Sequence, residues 1–145
     1  SVVYDDAGRF DYTPLLSGTS YIYCGAKHKL FDVPDHQITE GDLNNTSYIS
    51  RWFDAAPEHL GQNSEIAQVE SFHVEATVHL VLSGNYVGFL PAYFAQKWVS
   101  SGDMRPLRQD LYHLDYRYGF TVKHGRRLSP AGQAFIDSIT RAVRR

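Results

Sequence analysis

The chain has 145 residues, of which 43% are apolar, enough polypeptide for one ordinary globular domain. Its formal net charge of -2 argues against the basic surface that nucleic-acid-binding domains carry. A single cysteine, Cys24, excludes an internal disulfide and is typical of a reducing compartment. No apolar run approaches the roughly 20 residues that span a bilayer, and no signal-peptide pattern opens the chain. We therefore expect a cytoplasmic protein with no membrane partner.

The predicted elements alternate between strand and helix over most of the chain. Residues 1–18 are punctuated by glycine and proline and predict no regular element. Strands are predicted at residues 19–25, 47–53, 66–72, 86–90, 104–107 and 111–122. Helices are predicted from His73 to Gly84, from Pro91 to just before Gly102, and from Pro130 to about residue 143. This order favours an α/β fold with a mainly parallel sheet.

Residues 83–107, SGNYVGFLPAYFAQKWVSSGDMRPL, contain the most distinctive spacing of glycines. The stretch matches neither a phosphate-binding loop nor a dinucleotide fingerprint, and it lacks the Gly-x-Ser-x-Gly of a nucleophile elbow. The pattern instead predicts that Gly84 ends a helix. Gly88 is predicted to let another backbone or a ligand approach its strand closely.

The histidine and cysteine spacings predict neither a metal site nor a cofactor. His73 and His79 lie six residues apart, on different sides of a predicted helix, and no paired-cysteine motif exists. Cys24 has no neighbouring base, so no nucleophile is identified and the chain is not predicted to be an enzyme. His73 nevertheless falls at a strand-to-helix junction, where free backbone N–H groups favour anions.

The aromatic content of 14%, with ten tyrosines, is high for a small core. Aromatic side chains that line a cleft for an organic ligand would account for it, and so would a protein interface. The residues by themselves thus indicate an α/β domain that binds a partner, without choosing between these two kinds.

The chain contains, in this order, the segments LLSGTSYIYCGAKHKLF, VHLVLSGNYVGFLPAYFAQKWVSSGDMRPL and RRLSPAGQAFIDSITRAV. Together these three segments resemble the effector-binding domain of LysR-type transcriptional regulators. The central segment is similar to the family's pattern of a helix ending in Gly-x-Gly, a strand ending in Leu-Pro and a further helix. LLSGTSYIYCGAKHKLF resembles the strand that leads to His-Pro-Leu, with Lys29 in place of proline. RRLSPAGQAFIDSITRAV resembles the C-terminal helix. Tyr86 departs from the pattern because it replaces the second glycine.

The resemblance implies a periplasmic-binding-protein-like (type 2) α/β fold of two subdomains with a small-molecule effector between them. Residues 1–24 would be a remnant of the first subdomain and a hinge strand, and residues 25–108 a complete second subdomain. Residues 109–145 would return to the first subdomain, which would be only partial. The winged helix-turn-helix of the family has no counterpart here, so we expect a truncated fragment whose parent binds DNA and which self-associates as a dimer or tetramer.

The resemblance also implies effector-binding residues where the strands of the second subdomain meet their following helices. These are Ser50, Arg51, Trp52, Ser71, Phe72, His73 and Gly88. Arg51 would pair with a carboxylate on the effector, or form an ordinary surface ion pair, and Phe72 would cover an aromatic ring. The alternative function is a free-standing small-ligand binding protein.

Overall fold

A computed structural model of the chain describes residues 9–50 and 68–143. Its strands are β1 (Phe10–Gly25), β2 (Tyr48–Ser50), β3 (Val69–Glu70), β4 (Val87–Pro91), β5 (Met104–Leu107) and β6 (His113–Lys123). Its α-helices are α1 (Glu40–Asn44), α2 (Val74–Leu82), α3 (Ala92–Ser101) and α4 (Pro130–Val143), with a short 3-10 helix at Asp35–Gln37. The predicted strand at 104–107 and the three predicted long helices are found within one or two residues of their expected ends.

The chain divides into two compact units, which we name the terminal unit (residues 1–18 and 115–145) and the central unit (residues 19–114). The sequence placed its divisions at 24/25 and 108/109, a few residues inside these limits. The assignment of the units to particular subdomains stays a prediction.

The sheet of the central unit has the strand order β3-β2-β4-β1-β5. Strand β2 is parallel to both β3 and β4, whereas β1 is antiparallel to β4 and to β5. The expectation of a mainly parallel sheet is therefore wrong, and the sheet is mixed. Strands β4 and β5 are joined by α3, and β1 lies between them in the opposite direction, a long-range insertion that no local pattern encodes.

Strand β1 begins at Phe10, so the prediction that residues 1–18 hold no regular element is wrong from that point on. This part of β1 pairs with β6 within the terminal unit, where the N–H of His124 donates to the carbonyl of Arg9 at 2.8 Å. Tyr116 packs over Gly18, and Tyr12 packs over Gly119 of the facing strand. Aromatic rings that cover cross-strand glycines compensate for the missing side chains, which explains why glycine did not end the strand.

Two clusters of buried residues form the core of the central unit, one on each face of its sheet. Alternate residues of one strand enter different clusters, as the period of two requires: Ile22 and Cys24 enter the first cluster and Tyr23 the second. Burial raises the pKa of the Cys24 thiol to about 12, so this group is neutral and inert rather than a nucleophile.

A polar cluster fastens the segment between β1 and α1 to the end of β5. The Arg105 guanidinium donates to the carbonyls of Phe31 (3.2 Å) and Val33 (3.1 Å) and pairs with Asp35. Asp35 also accepts a hydrogen bond from the backbone N–H of Arg108 at 3.1 Å. Because the Asp35 carboxylate binds both the Arg105 guanidinium and a backbone N–H, this loop has a defined position beside the sheet.

The terminal unit differs from the central unit in that its described residues form no buried core. None of its residues at 9–18 and 115–143 is buried. Helix α4 begins as predicted, with Pro130 in its first turn and the Ser129 hydroxyl accepting from the N–H of Gly132 at 3.1 Å. Seven large apolar side chains of the unit are exposed: Phe10, Tyr12, Leu16, Tyr118, Leu128, Phe135 and Val143. In the part of the chain that is described, no helix has the length and apolar character needed to cross a membrane.

His28 predicts how the stability of the fold depends on pH. The residue is only 5% exposed, and its Nδ1 accepts the N–H of Leu30 at 3.1 Å, which requires a neutral imidazole. Burial lowers the pKa of His28 below its ordinary value, and the charge of Lys29 lowers it further. As the pH falls, the unfolded chain therefore takes up the proton before the folded chain does. The contribution of the neutral His28 to the stability of the fold is thus complete above about pH 6.5 and is lost as the pH falls below it.

We expect the urea concentration at the unfolding midpoint to be lower at about pH 5.5 than at about pH 7.5. In the variant H28N this decrease should be smaller. The asparagine Oδ1 can accept the same N–H but does not titrate. Urea unfolding followed by circular dichroism at both pH values measures the difference. An equal pH dependence in the two proteins would show that His28 does not carry it.

Candidate functional site

The candidate site lies where β2 and β3 end and α2 begins, within the central unit. The two strands are parallel, so their carboxyl ends meet at one edge of the sheet, the usual place for ligands in α/β folds. The N–H of Ser71 donates to the carbonyl of Ser50 at 2.9 Å, which joins the two predicted site positions directly. Arg51 and Trp52, which follow Ser50 in sequence, lie outside the described residues.

Helix α2 presents an N-terminus that is not capped by a side chain. His73 is the N-cap residue, with extended backbone (φ -123°, ψ 134°), and its exposed ring makes no capping hydrogen bond. The first N–H groups of a helix lack partners within it and carry partial positive charge, which attracts anions. Glu75 in the first turn offsets part of this charge.

Ser71 shapes this junction from inside. The residue is only 4% exposed, and its hydroxyl donates to the carbonyl of His73 at 3.0 Å. Its single hydroxyl hydrogen is therefore used within the chain, and Ser71 can offer a ligand its oxygen rather than a donor.

Phe72 is the opposite case, since 59% of it is exposed although it lies between the buried Ser71 and the helix N-cap. A phenyl ring left in solvent beside a helix N-terminus provides an apolar surface next to a polar one. Such a pairing suits a small molecule that carries both an apolar body and an anionic group.

Gly88 lies beneath the junction rather than on its surface. It is buried in β4, and a Cβ at this position would come within 3.2 Å of the Thr77 methyl and 3.3 Å of the Ile49 side chain. The groups that approach its backbone closely are thus side chains of α2 and β2.

Thr77 is the residue of this site that sequence reasoning missed. It is fully buried on α2, and its hydroxyl lies 3.1 Å from Ser71 Oγ and 3.2 Å from the His73 carbonyl. A signal existed, because Thr77 stands on the apolar face of the helix beside Val78, where a polar residue needs a specific partner. Among the described residues, no group of three or more histidine, cysteine, aspartate or glutamate side chains is placed to hold a metal ion.

Comparison with known proteins shows which family the chain matches and which curated protein it is similar to. A family model described as the LysR substrate binding domain matches residues 3–144. The chain is 25% identical over 130 residues to the HTH-type transcriptional activator BauR of Pseudomonas aeruginosa. That alignment covers 89% of this chain and 43% of BauR, so the chain spans less than half the length of this curated relative.

Two solved structures of regulatory domains have the same fold. The effector domain of the transcriptional regulator AmpR of Pseudomonas aeruginosa superposes with a TM-score of 0.69 at 13% identity, over 95% of this chain and 67% of that one. The regulatory domain of CcmR from Synechocystis PCC6803, solved in complex with 2-PG, gives a TM-score of 0.66 at 16% identity, over 95% of this chain and 69% of that one. At these identities the likeness concerns the fold.

Proposed function

Because this chain belongs to the LysR substrate-binding domain family, a non-enzymatic family of regulatory domains, we propose that it senses a small-molecule effector for a transcriptional regulator. The observation that carries the proposal is the junction of β2, β3 and α2. It combines an uncapped helix N-terminus with an exposed phenyl ring at the carboxyl edge of parallel strands.

We place the effector against Ser50, Phe72 and His73, with Ser71 and Gly88 behind them. Arg51 and Trp52 complete the proposed set on the basis of their sequence positions. The buried contacts of Ser71 and Gly88 support roles in shaping the wall, whereas the exposure of Phe72 and His73 supports direct contact.

The effector that this wall suits has an anionic group and an apolar or aromatic body. The anion would lie at the first turn of α2 and the body against Phe72. A carboxylate would also match the guanidinium of Arg51. The relative CcmR was solved with 2-PG, which makes 2-PG a reasonable first compound to test here.

Three further proposals concern the subdomains, DNA binding and self-association. The central unit corresponds to the second subdomain of a periplasmic-binding-protein-like (type 2) effector domain, and the terminal unit to part of the first. DNA binding belongs to the parent regulator, through a helix-turn-helix outside this chain, as the name of BauR suggests. The exposed apolar side chains of the terminal unit favour self-association.

The test of the proposed site is the variant F72A. A panel of small carboxylates and phosphates, 2-PG included, is first screened by thermal shift on the wild-type chain. Loss of the Phe72 ring should weaken binding of the strongest hit by about tenfold or more, since burying a large apolar side chain contributes ~1.5–3 kcal/mol.

F135A is the matched control, because Phe135 is a phenylalanine of similar exposure (61%) on α4 and lies on none of the elements that form the proposed site. It should bind the same compound as the wild type does. Equal binding by F72A and the wild type would place the effector elsewhere.

A further inference from the structure

We propose that Thr77 is a positioning residue of the effector site, which holds residues 71–73 in the conformation that exposes Phe72 and the N-terminus of α2. The inference deepens the proposed function and rests on it, since the segment is the wall against which we place the effector. Thr77 does not contact the effector in this proposal; it acts through Ser71 and His73.

The hydroxyl of Thr77 reaches both ends of the segment. It lies 3.1 Å from the Oγ of Ser71 and 3.2 Å from the carbonyl of His73, and its single hydrogen is shared between these two acceptors. The same His73 carbonyl accepts the Ser71 hydroxyl at 3.0 Å and the backbone N–H of Thr77 at 3.1 Å. One buried side chain therefore closes the segment into a small hydrogen-bonded ring, with Phe72 directed to its outside.

The methyl group of Thr77 fixes the hydroxyl in place. A Cβ on Gly88 would stand 3.2 Å from this methyl, so the absence of a side chain at Gly88 provides the space that Thr77 occupies. Threonine is stiff about χ1, and a methyl packed on β4 selects the rotamer that points the hydroxyl at the segment. The two halves of the side chain thus have separate tasks.

These tasks can be separated by substitution. T77V keeps the shape and the packing on Gly88 but loses the hydroxyl, whereas T77S keeps the hydroxyl and loses the methyl. If Thr77 only packs in the core, T77V should leave the protein unchanged and T77S should destabilise it. If Thr77 positions residues 71–73, T77V should change the conformation of that segment and T77S should keep it.

The first readout needs no effector. Amide hydrogen exchange measured by NMR reports on the Ser71 N–H, which is bonded to Ser50. In T77V we expect this amide to exchange about tenfold faster, as the loss of one net hydrogen bond implies, and the amide shifts of Phe72 and His73 to move. T77S should keep wild-type values, and the amides of β4 should stay protected in both variants.

The second readout is titration with 2-PG, followed at the same amides. T77V should bind 2-PG about tenfold more weakly than the wild type, and the affinity of T77S should lie within about threefold of the wild-type value. The β4 amides should stay protected against hydrogen exchange in both variants. If T77V leaves the Ser71 exchange rate and the Phe72 and His73 shifts as in the wild type, the positioning role is wrong. If the segment loosens in T77V but 2-PG perturbs none of its amides in the wild type, Thr77 holds the segment and the proposed ligand chemistry is the part that fails.

Discussion

Replacing Phe89 with alanine should lower the free energy of unfolding by about 3–5 kcal/mol, the usual cost of removing a buried phenyl ring. Phe89 is 1% exposed on β4, which lies between β2 and β1 in the sheet, and it belongs to the first buried cluster with Ile22 and Leu107. A central strand held on both sides cannot close over the cavity. Urea unfolding followed by circular dichroism gives the difference.

F72A is the matched control, since it removes the same atoms from a ring that is 59% exposed. We expect its free energy of unfolding to lie within about 0.5 kcal/mol of the wild type. A cost for F89A as small as that for F72A would mean that β4 is not the centre of the core.

Replacing Gly84 with alanine should lower the free energy of unfolding by about 2–5 kcal/mol, from two sources. Gly84 ends α2 with φ +82°, in the left-handed region where a Cβ costs ~1–2 kcal/mol. A Cβ there would also stand 2.6 Å from the Cβ and 2.9 Å from the carbonyl carbon of Lys27, which adds an overpacking cost of ~1–3 kcal/mol.

G102A separates the two sources. Gly102 ends α3 with φ +79°, and a Cβ there would meet nothing within 4 Å. It should therefore lose only the backbone part, about 1 kcal/mol. Denaturant unfolding of both variants gives the difference, and equal costs would show that the approach of Lys27 to Gly84 contributes nothing.

Helix ends that are marked by glycine, or by serine followed by proline, could be predicted from the sequence. Gly84, Gly102 and the Ser129-Pro130 pair mark helix ends that the structure places where expected, because capping is decided within a few residues. The first half of β1 could not be predicted, since its glycine is compensated by Tyr116 of a distant strand. The direction of β1 within the sheet likewise depends on pairings with residues 63 to 85 positions away in the chain.

The one departure from the family pattern within the central segment is Tyr86, and the structure shows where its side chain lies. Tyr86, which replaces a glycine of the family pattern, is partly buried and packs against the second buried cluster. The bulkier residue therefore contributes to the core.

For the candidate site, the sequence pattern located the junction but not its internal contacts. The strand-to-helix transition at His73 predicted an exposed helix N-terminus, and the structure has one. The hydrogen bonds of Thr77 cross from helix to loop and appear only once α2 lies on β4. The sequence predicts that a backbone or a ligand approaches Gly88 closely, whereas in the structure the side chains of Thr77 and Ile49 occupy the space next to it.

The central claim is that the effector binds at the junction of β2, β3 and α2. The most direct measurement is the NMR shift map of the central unit as the strongest carboxylate or phosphate from the screen is titrated into the 145-residue chain. The account predicts that the largest amide shifts lie at Ser50 and at residues 71–76, and that the ring protons of Phe72 shift with them. Saturable shifts confined to other parts of the central unit, with these residues unmoved, would contradict it.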